Sequence, residues 1–103
     1  MPTNISATEE DYLKAIYKIA EEQVNDVFVN TNAIAARMNT KAASVTDMIK
    51  RLSEKELISY QKYKGVQLTT VGNTIAKNLV RKHRLWEVFL VNKLRFAWHQ
   101  VHD

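Results

Sequence analysis

The sequence predicts a mainly α-helical fold with one short β-hairpin after its third helix. Three observations carry this reading. Apolar residues recur at helical spacing in four separate stretches. Two Gly and one Pro in 103 residues leave little punctuation for an all-β chain. Apolar and polar residues alternate in Ile58-Ser59-Tyr60-Gln61 and Val66-Gln67-Leu68-Thr69, and these runs flank Lys62-Tyr63-Lys64-Gly65. A content of 46% hydrophobic and 25% charged residues suits a packed core and argues against disorder.

The elements follow in order. Thr8 precedes Glu9, Glu10 and Asp11, a capping residue followed by acids that favour the positive end of a helix. Leu13, Ile16, Tyr17 and Ala20 then place an amphipathic helix over roughly residues 8–22. Gln23 to Asp26 is a polar connection, and Val27-Phe28-Val29 is a candidate very short strand. Asn30, Thr31 and Asn32 offer caps for a short second helix from Ala33 to Arg37 or Met38, with Ile34 and Met38 inward. A third helix runs from Thr40 or Lys41 to about Lys55, with Val45, Met48, Ile49 and Leu52 on one face.

Two helices joined by about three residues, the second longer, are laid out as a helix-turn-helix. The hairpin that follows, with Gly65 where a positive φ is needed, completes a winged helix-turn-helix. Thr69 or Thr70 caps a fourth helix that carries Val71, Ile75, Leu79, Trp86, Phe89 and Leu90 as a broad apolar stripe to about Asn92. Phe96-Ala97-Trp98 reads as a turn into a fifth helix, unfinished at Asp103, as expected for a piece of a longer protein. The expected domains are residues 1–70, the winged helix-turn-helix, and residues 71–103, the start of a helical dimerisation domain.

Charge separates the two parts of the chain. The net charge is +4, yet residues 1–40 set three basic residues against six acidic ones, while residues 41–103 set twelve against five. A basic second part points to an anionic partner, with nucleic acid first, although a solvated basic face has the same composition. There is no Cys, which excludes disulfides, thiolate metal sites and Cys nucleophiles within these residues. No apolar run approaches the ~18 residues of a membrane span. A soluble cytoplasmic protein without a membrane partner is expected.

On the third helix, Lys41, Ala43, Ser44, Thr46, Asp47, Lys50 and Arg51 would face a DNA groove or its rim. Small residues at its start allow close approach, free amides there suit a phosphate, and Ser44 and Thr46 can meet bases or phosphates. Asp47 either accepts from a cytosine amine or pairs with Lys50 or Arg51. Lys62 and Lys64 on the wing would meet the phosphate backbone, or simply keep the hairpin soluble. The far half of the fourth helix carries more apolar surface than one small domain covers, which points to a homodimer and a palindromic double-stranded operator.

His83 and Glu87 stand i, i+4 on the fourth helix, so an imidazole and a carboxylate can share one divalent ion. The plainer alternatives are an interface histidine and a glutamate paired with Lys82 or Arg84. His99 and His102 are spaced i, i+3, and Asp11 lies on the first helix.

Three stretches, Thr8-Glu9-Glu10-Asp11-Tyr12-Leu13-Lys14-Ala15-Ile16-Tyr17, Ala43-Ser44-Val45-Thr46-Asp47-Met48-Ile49-Lys50-Arg51-Leu52 and Leu79-Val80-Arg81-Lys82-His83-Arg84-Leu85-Trp86-Glu87, together with Val101-His102-Asp103, carry a resemblance. The chain resembles the metal-dependent repressors typified by the diphtheria toxin repressor and the manganese transport regulator. The resemblance implies a winged helix-turn-helix joined to a metal-binding and dimerisation domain. In that family Fe(II) or Mn(II) licenses operator binding and represses metal uptake. It implies that His83, Glu87 and His102 serve one metal site and Asp11 another. Asp at position 11 follows the manganese-type proteins, where the diphtheria-type proteins carry Met, and a hard carboxylate favours Mn(II) or Fe(II). Lys14 departs from the manganese regulators, which carry a second glutamate there, and the family's ligands on the next helix would lie past Asp103. The expected function is a non-enzymatic, bacterial, metal-dependent transcriptional repressor of metal-ion homeostasis genes. A winged-helix protein-interaction module without metal-regulated DNA binding is the alternative, and a metal hydrolase is weaker still for want of a nucleophile or base beside the His/Glu set.

Overall fold

The computed structural model describes the backbone of residues 4–102 and the side chains of residues 4–95. Its elements run α1 (Ala7–Glu22), α2 (Thr31–Met38), α3 (Ala42–Glu54), β1 (Ile58–Gln61), β2 (Gly65–Leu68) and α4 (Thr70–His102). Helix α1 starts one residue before Thr8. Its cap is Ser6, whose hydroxyl accepts from the Glu9 amide at 3.1 Å while the Glu9 carboxylate accepts from the Ser6 amide at 3.0 Å. This reciprocal pair satisfies two amides that the helix itself leaves without partners, which a single Thr8 cap would not.

Asn30 caps α2 by accepting from the Asn32 amide at 2.7 Å, so α2 includes Thr31 and Asn32 rather than opening at Ala33. Asn39 ends α2 in the left-handed conformation, φ 52°, a region that Asn tolerates better than most residues. The chain then turns through Thr40 and Lys41 into α3. Leu13 and Ile16 of α1, Ile34 of α2, Val45 and Leu52 of α3, and Leu57 form the fully buried centre. The five helical residues are apolar at the spacing that aims them inward, and Leu57 joins them from the turn after α3.

The hairpin is antiparallel, with Ile58 opposite Leu68 and Gln61 opposite Gly65. Of Val27-Phe28-Val29, only Val29 pairs, through a single bridge to Val66 in which each amide donates to the other's carbonyl at 2.7 and 2.9 Å. Gly65 takes φ +112°, and a Cβ there would stand 2.4 Å from the Val29 carbonyl oxygen. Positive φ and close backbone approach both require glycine at this point.

Thr69 caps α4 by accepting from the Gly72 amide at 3.0 Å, and its own amide donates to the Leu57 carbonyl at 3.1 Å. Ala76 and Val80 are buried where the first half of α4 packs along α1. The expected turn at Phe96-Ala97-Trp98 is absent: α4 continues as one helix to His102, and no fifth helix begins there. The reason is local, since after Gly72 no Gly or Pro interrupts the segment and its residues all tolerate a helix. Beyond Val80 every described residue of α4 is exposed, and the helix stretches the molecule to 59 Å along its long axis. Among the described residues, no helix is long and apolar enough to cross a membrane.

Candidate functional site

Helix α3 has two faces. Val45, Met48, Ile49 and Leu52 are buried, while Lys41, Ala42, Ala43, Ser44, Thr46, Asp47, Lys50 and Arg51 are all exposed. The packing of one set presents the other, because side chains at i, i+3 and i+4 share a face. Lys41 is the N-cap and makes no side-chain cap bond, so the first amides of α3 open to solvent between small side chains. Such an end favours an anion. The Thr46 hydroxyl donates to the Ala42 carbonyl at 3.1 Å, which spends its proton and leaves the exposed oxygen able to accept.

The wing stands next to this helix. A groove of about 430 Å³ runs between them, lined by Thr31, Thr46, Ile49, Lys50, Ser53 and Tyr60 among others. Thr31 and Tyr60 lie outside the set of residues the sequence points toward DNA, reading there only as a helix cap and a strand residue. Strand alternation gives no signal for Tyr60, which shares a face of β1 with the buried Ile58 and is exposed because it lies nearer the wing tip. Lys62 and Lys64 are exposed at the wing tip, as expected. The Lys62 ammonium lies 5.3 Å from the centre of the Tyr63 ring, and the Lys64 ammonium 5.6 Å from that of Phe28. Both lysines therefore rest on aromatic faces while keeping their charge at the surface.

The second group of residues lies on α4. The His83 Nε2 and Glu87 Oε1 atoms are 2.7 Å apart, and both side chains are more than half exposed. Glu87 thus pairs with His83 rather than with Lys82 or Arg84. An imidazole nitrogen and a carboxylate oxygen held one turn apart make two adjacent donors of the type that Mn(II) and Fe(II) accept. In this respect the residues fit a divalent ion. Asp11 is elsewhere engaged, with its Oδ1 3.2 Å from the Lys14 ammonium one turn along α1. Among the described residues, no three His, Asp or Glu side chains converge on one point. His102 stands in the last turn of α4, and its side chain, like those of His99 and Asp103, lies outside the described residues.

One buried charge connects the first helix to the third. The Lys55 ammonium donates to Glu9 Oε1 at 2.9 Å and to the Asn4 carbonyl at 2.6 Å, and it lies 2.7 Å from Glu9 Oε2. The Lys55 hydrogen bond, with help from the Ser6 amide, holds the Glu9 carboxyl below its ordinary value.

Comparison with known proteins gives a consistent answer for both parts of the chain. Residues 4–66 match the family described as iron dependent repressor, N-terminal DNA binding domain. Residues 69–103 match iron dependent repressor, metal binding and dimerisation domain. The HTH-type transcriptional regulator MntR of Shouchella clausii is 37% identical over 90 residues, 87% of this chain and 59% of that protein. The diphtheria toxin repressor of Corynebacterium jeikeium is 31% identical over 96 residues, 93% of this chain and 39% of that protein. A crystal structure of the metal-dependent transcriptional regulator MtsR superposes with a TM-score of 0.73 at 40% identity, covering 84% of this chain and 39% of that one. The chain thus spans between about two fifths and three fifths of the length of these relatives. With the two family regions matched in succession along one chain, it belongs to the iron-dependent repressor family.

Proposed function

We propose that this chain is the DNA-reading and metal-sensing portion of a bacterial, cytoplasmic transcriptional repressor that responds to Mn(II) or Fe(II) and controls metal-ion homeostasis genes. One observation carries the reading: a helix buried on one side and exposed on the other stands beside a hairpin that carries two exposed lysines. The exposed α3 face enters the major groove, with Ser44 and Thr46 toward base edges and Lys41, Lys50 and Arg51 toward phosphates. Ala43 permits close approach, and Asp47 accepts from an amine or pairs with its basic neighbours. Lys62 and Lys64 hold the neighbouring backbone.

The boundary of the reading unit falls at Thr70, after which α4 carries the pairing surface. Leu85, Trp86, Val88, Phe89 and Leu94 are each about half exposed or more, and the Trp86 and Phe89 rings stack at 5.4 Å. A second copy covering this surface makes a two-fold dimer, which sets the two α3 helices a whole number of DNA turns apart, ~34 Å each, and selects a palindromic operator. His83, Glu87 and His102 supply donors for one ion, and Asp11 for another. The ion contributes only as its affinity differs between the DNA-competent and incompetent arrangements. The role is one of regulation by binding, without catalysis.

Fluorescence anisotropy of the full-length protein on a duplex from its own promoter tests this, with Mn(II), with anaerobic Fe(II) and with chelator. Binding tightened by either metal and weakened steeply by salt is expected, because phosphate contacts release counterions. Unchanged affinity with both metals would overturn the metal mechanism. A protein-interaction module would show no salt-dependent duplex affinity at all.

A further inference from the structure

The wing tip contains a large aromatic residue that core packing does not account for. Tyr63 is 92% exposed and takes φ +69°, a conformation that is unusual for a bulky side chain. Its neighbours make the tip well defined. Gly65 abuts the Val29 carbonyl, Val66 and Val29 exchange two hydrogen bonds, and the Lys64 amide closes the turn on the Gln61 carbonyl at 3.0 Å. The turn therefore holds an aromatic ring outward at some conformational cost, and strain of this kind gathers where a side chain has a task.

The lysines that precede and follow Tyr63 in the chain indicate the task. Lys62 lies against the Tyr63 ring at 5.3 Å, and Lys64 leans to the other neighbour, Phe28, at 5.6 Å. The tip thus presents an exposed ring with one cation against it and a second on the adjacent Phe28 ring. A DNA minor groove presents the complement: a slot about 6 Å wide with an anionic sugar-phosphate strand on each wall. Aromatic and apolar side chains enter such slots, whereas the lysines suit the walls. Asn, Asp or Gly would satisfy the backbone of this turn more cheaply, so the ring is not there for the fold.

We propose that Tyr63 is a DNA-contacting residue in its own right, its ring entering the minor groove beside the major-groove segment read by α3, with Lys62 and Lys64 on the two phosphate walls. The inference rests on the DNA-binding reading above. The ring, rather than the hydroxyl, makes the contact.

The test uses the full-length protein with Mn(II) and a 30-base-pair duplex selected by the wild type from a randomised pool, a length of about three DNA turns. Tyr63→Asn should lose affinity by about tenfold, the lower end of what one groove contact contributes. Its salt dependence should stay unchanged because both lysines remain. Its unfolding temperature should hold or rise, since Asn accepts the left-handed conformation. Tyr63→Phe should bind within about threefold of the wild type, because the ring is retained. Hydroxyl-radical footprints should show minor-groove protection flanking the α3 contact that Tyr63→Asn loses and Tyr63→Phe keeps. Unaltered affinity and footprint in Tyr63→Asn would overturn the inference, as would a loss that tracks a lowered unfolding temperature. A wild type that selects no duplex and binds none overturns the DNA reading and this inference with it.

Discussion

The Glu9 carboxylate lies 2.7 Å from the Lys55 ammonium, joining residues 46 positions apart. Glu9 is buried and also belongs to the capping box of α1, whereas Lys55 is the C-cap residue of α3. One ion pair therefore fixes the start of the helix bearing Asp11 against the end of the helix facing DNA. Its arrangement has a cost built into it. A charge removed from water is tolerable only while its partner is present.

This pair should be visible in the acid stability of the protein. The Lys55 hydrogen bond, followed by the Ser6 amide, holds the Glu9 carboxyl below the ordinary glutamate value. A carboxylate with a lowered folded value contributes stability above its unfolded value and loses it as pH falls through the folded one. Glu9→Gln keeps the capping box, since an amide oxygen can accept from Ser6, but removes the charge. It should lower stability at neutral pH by about 1–2 kcal/mol, given that Lys55 is partly exposed, and flatten the stability curve below the ordinary carboxylate range. Lys55→Met should cost more than Glu9→Gln, because it strands the buried carboxylate. Denaturant titrations at neutral and acidic pH measure both, and equal acid slopes for wild type and Glu9→Gln would contradict the assignment.

The contrast between this pair and α3 shows what could be read from the residues alone. Val45, Met48, Ile49 and Leu52 state their common face through spacing, and all four are buried. Gly65 announced a positive φ because few other residues adopt one. Glu9 and Lys55 carry no such mark, since each looks like a surface charge until the chain brings them together. The Val29–Val66 bridge is legible in part: Val27-Phe28-Val29 reads as a very short strand, but which residue pairs and with what partner has no periodicity to announce it. The span of α4 departs from its expected end near Asn92 for a different reason: aromatic residues at Phe96 and Trp98 resemble a packing change, but neither breaks a helix. In the candidate site, His83 and Glu87 meet because one helix holds both, whereas the relation of Asp11 to them depends on how α1 and α4 pack, which local patterns do not encode.

The two glycines should respond to substitution in the same direction for partly different reasons. At Gly72, an added Cβ would lie 1.9 Å from the Leu57 carbonyl oxygen, a backbone atom that cannot swing aside. Alanine ordinarily favours a helix over glycine by about 1 kcal/mol, but overpacking of about 1–3 kcal/mol or more opposes this and should win here. Gly72→Ala should therefore destabilise the chain and tilt α4 away from the winged unit. Gly65→Ala adds an unfavourable positive φ to its clash with Val29 and should destabilise by about 2 kcal/mol or more. Chemical denaturation of the two variants is the check. A Gly72→Ala protein more stable than the wild type would show that α4 does not press on Leu57 as described.

The last prediction concerns Asp11, which already has a cation. Its carboxylate faces the Lys14 ammonium at 3.2 Å, so any ion binding at Asp11 must displace that contact or sit beside a like charge. Among the described residues, His83 and Glu87 carry no such resident partner beyond each other. The two regions should therefore separate by mutation. His83→Ala should weaken metal binding while sparing metal-independent affinity for DNA, because the exposed pair on α4 supports no part of the winged core. Asp11→Ala should leave ions bound at the α4 pair yet reduce their effect on the operator, since α1 is the helix that Glu9 and Lys55 tie to α3. Lys14→Met should do the reverse and lower the Mn(II) concentration needed for half-maximal operator binding. Isothermal titration with Mn(II) and anisotropy on the promoter duplex, run on the same full-length variants, distinguish binding from coupling. Should Lys14→Met leave the Mn(II) requirement unmoved while Asp11→Ala abolishes all metal binding, the ion pair on α1 has no part in sensing and Asp11 instead belongs with the α4 donors.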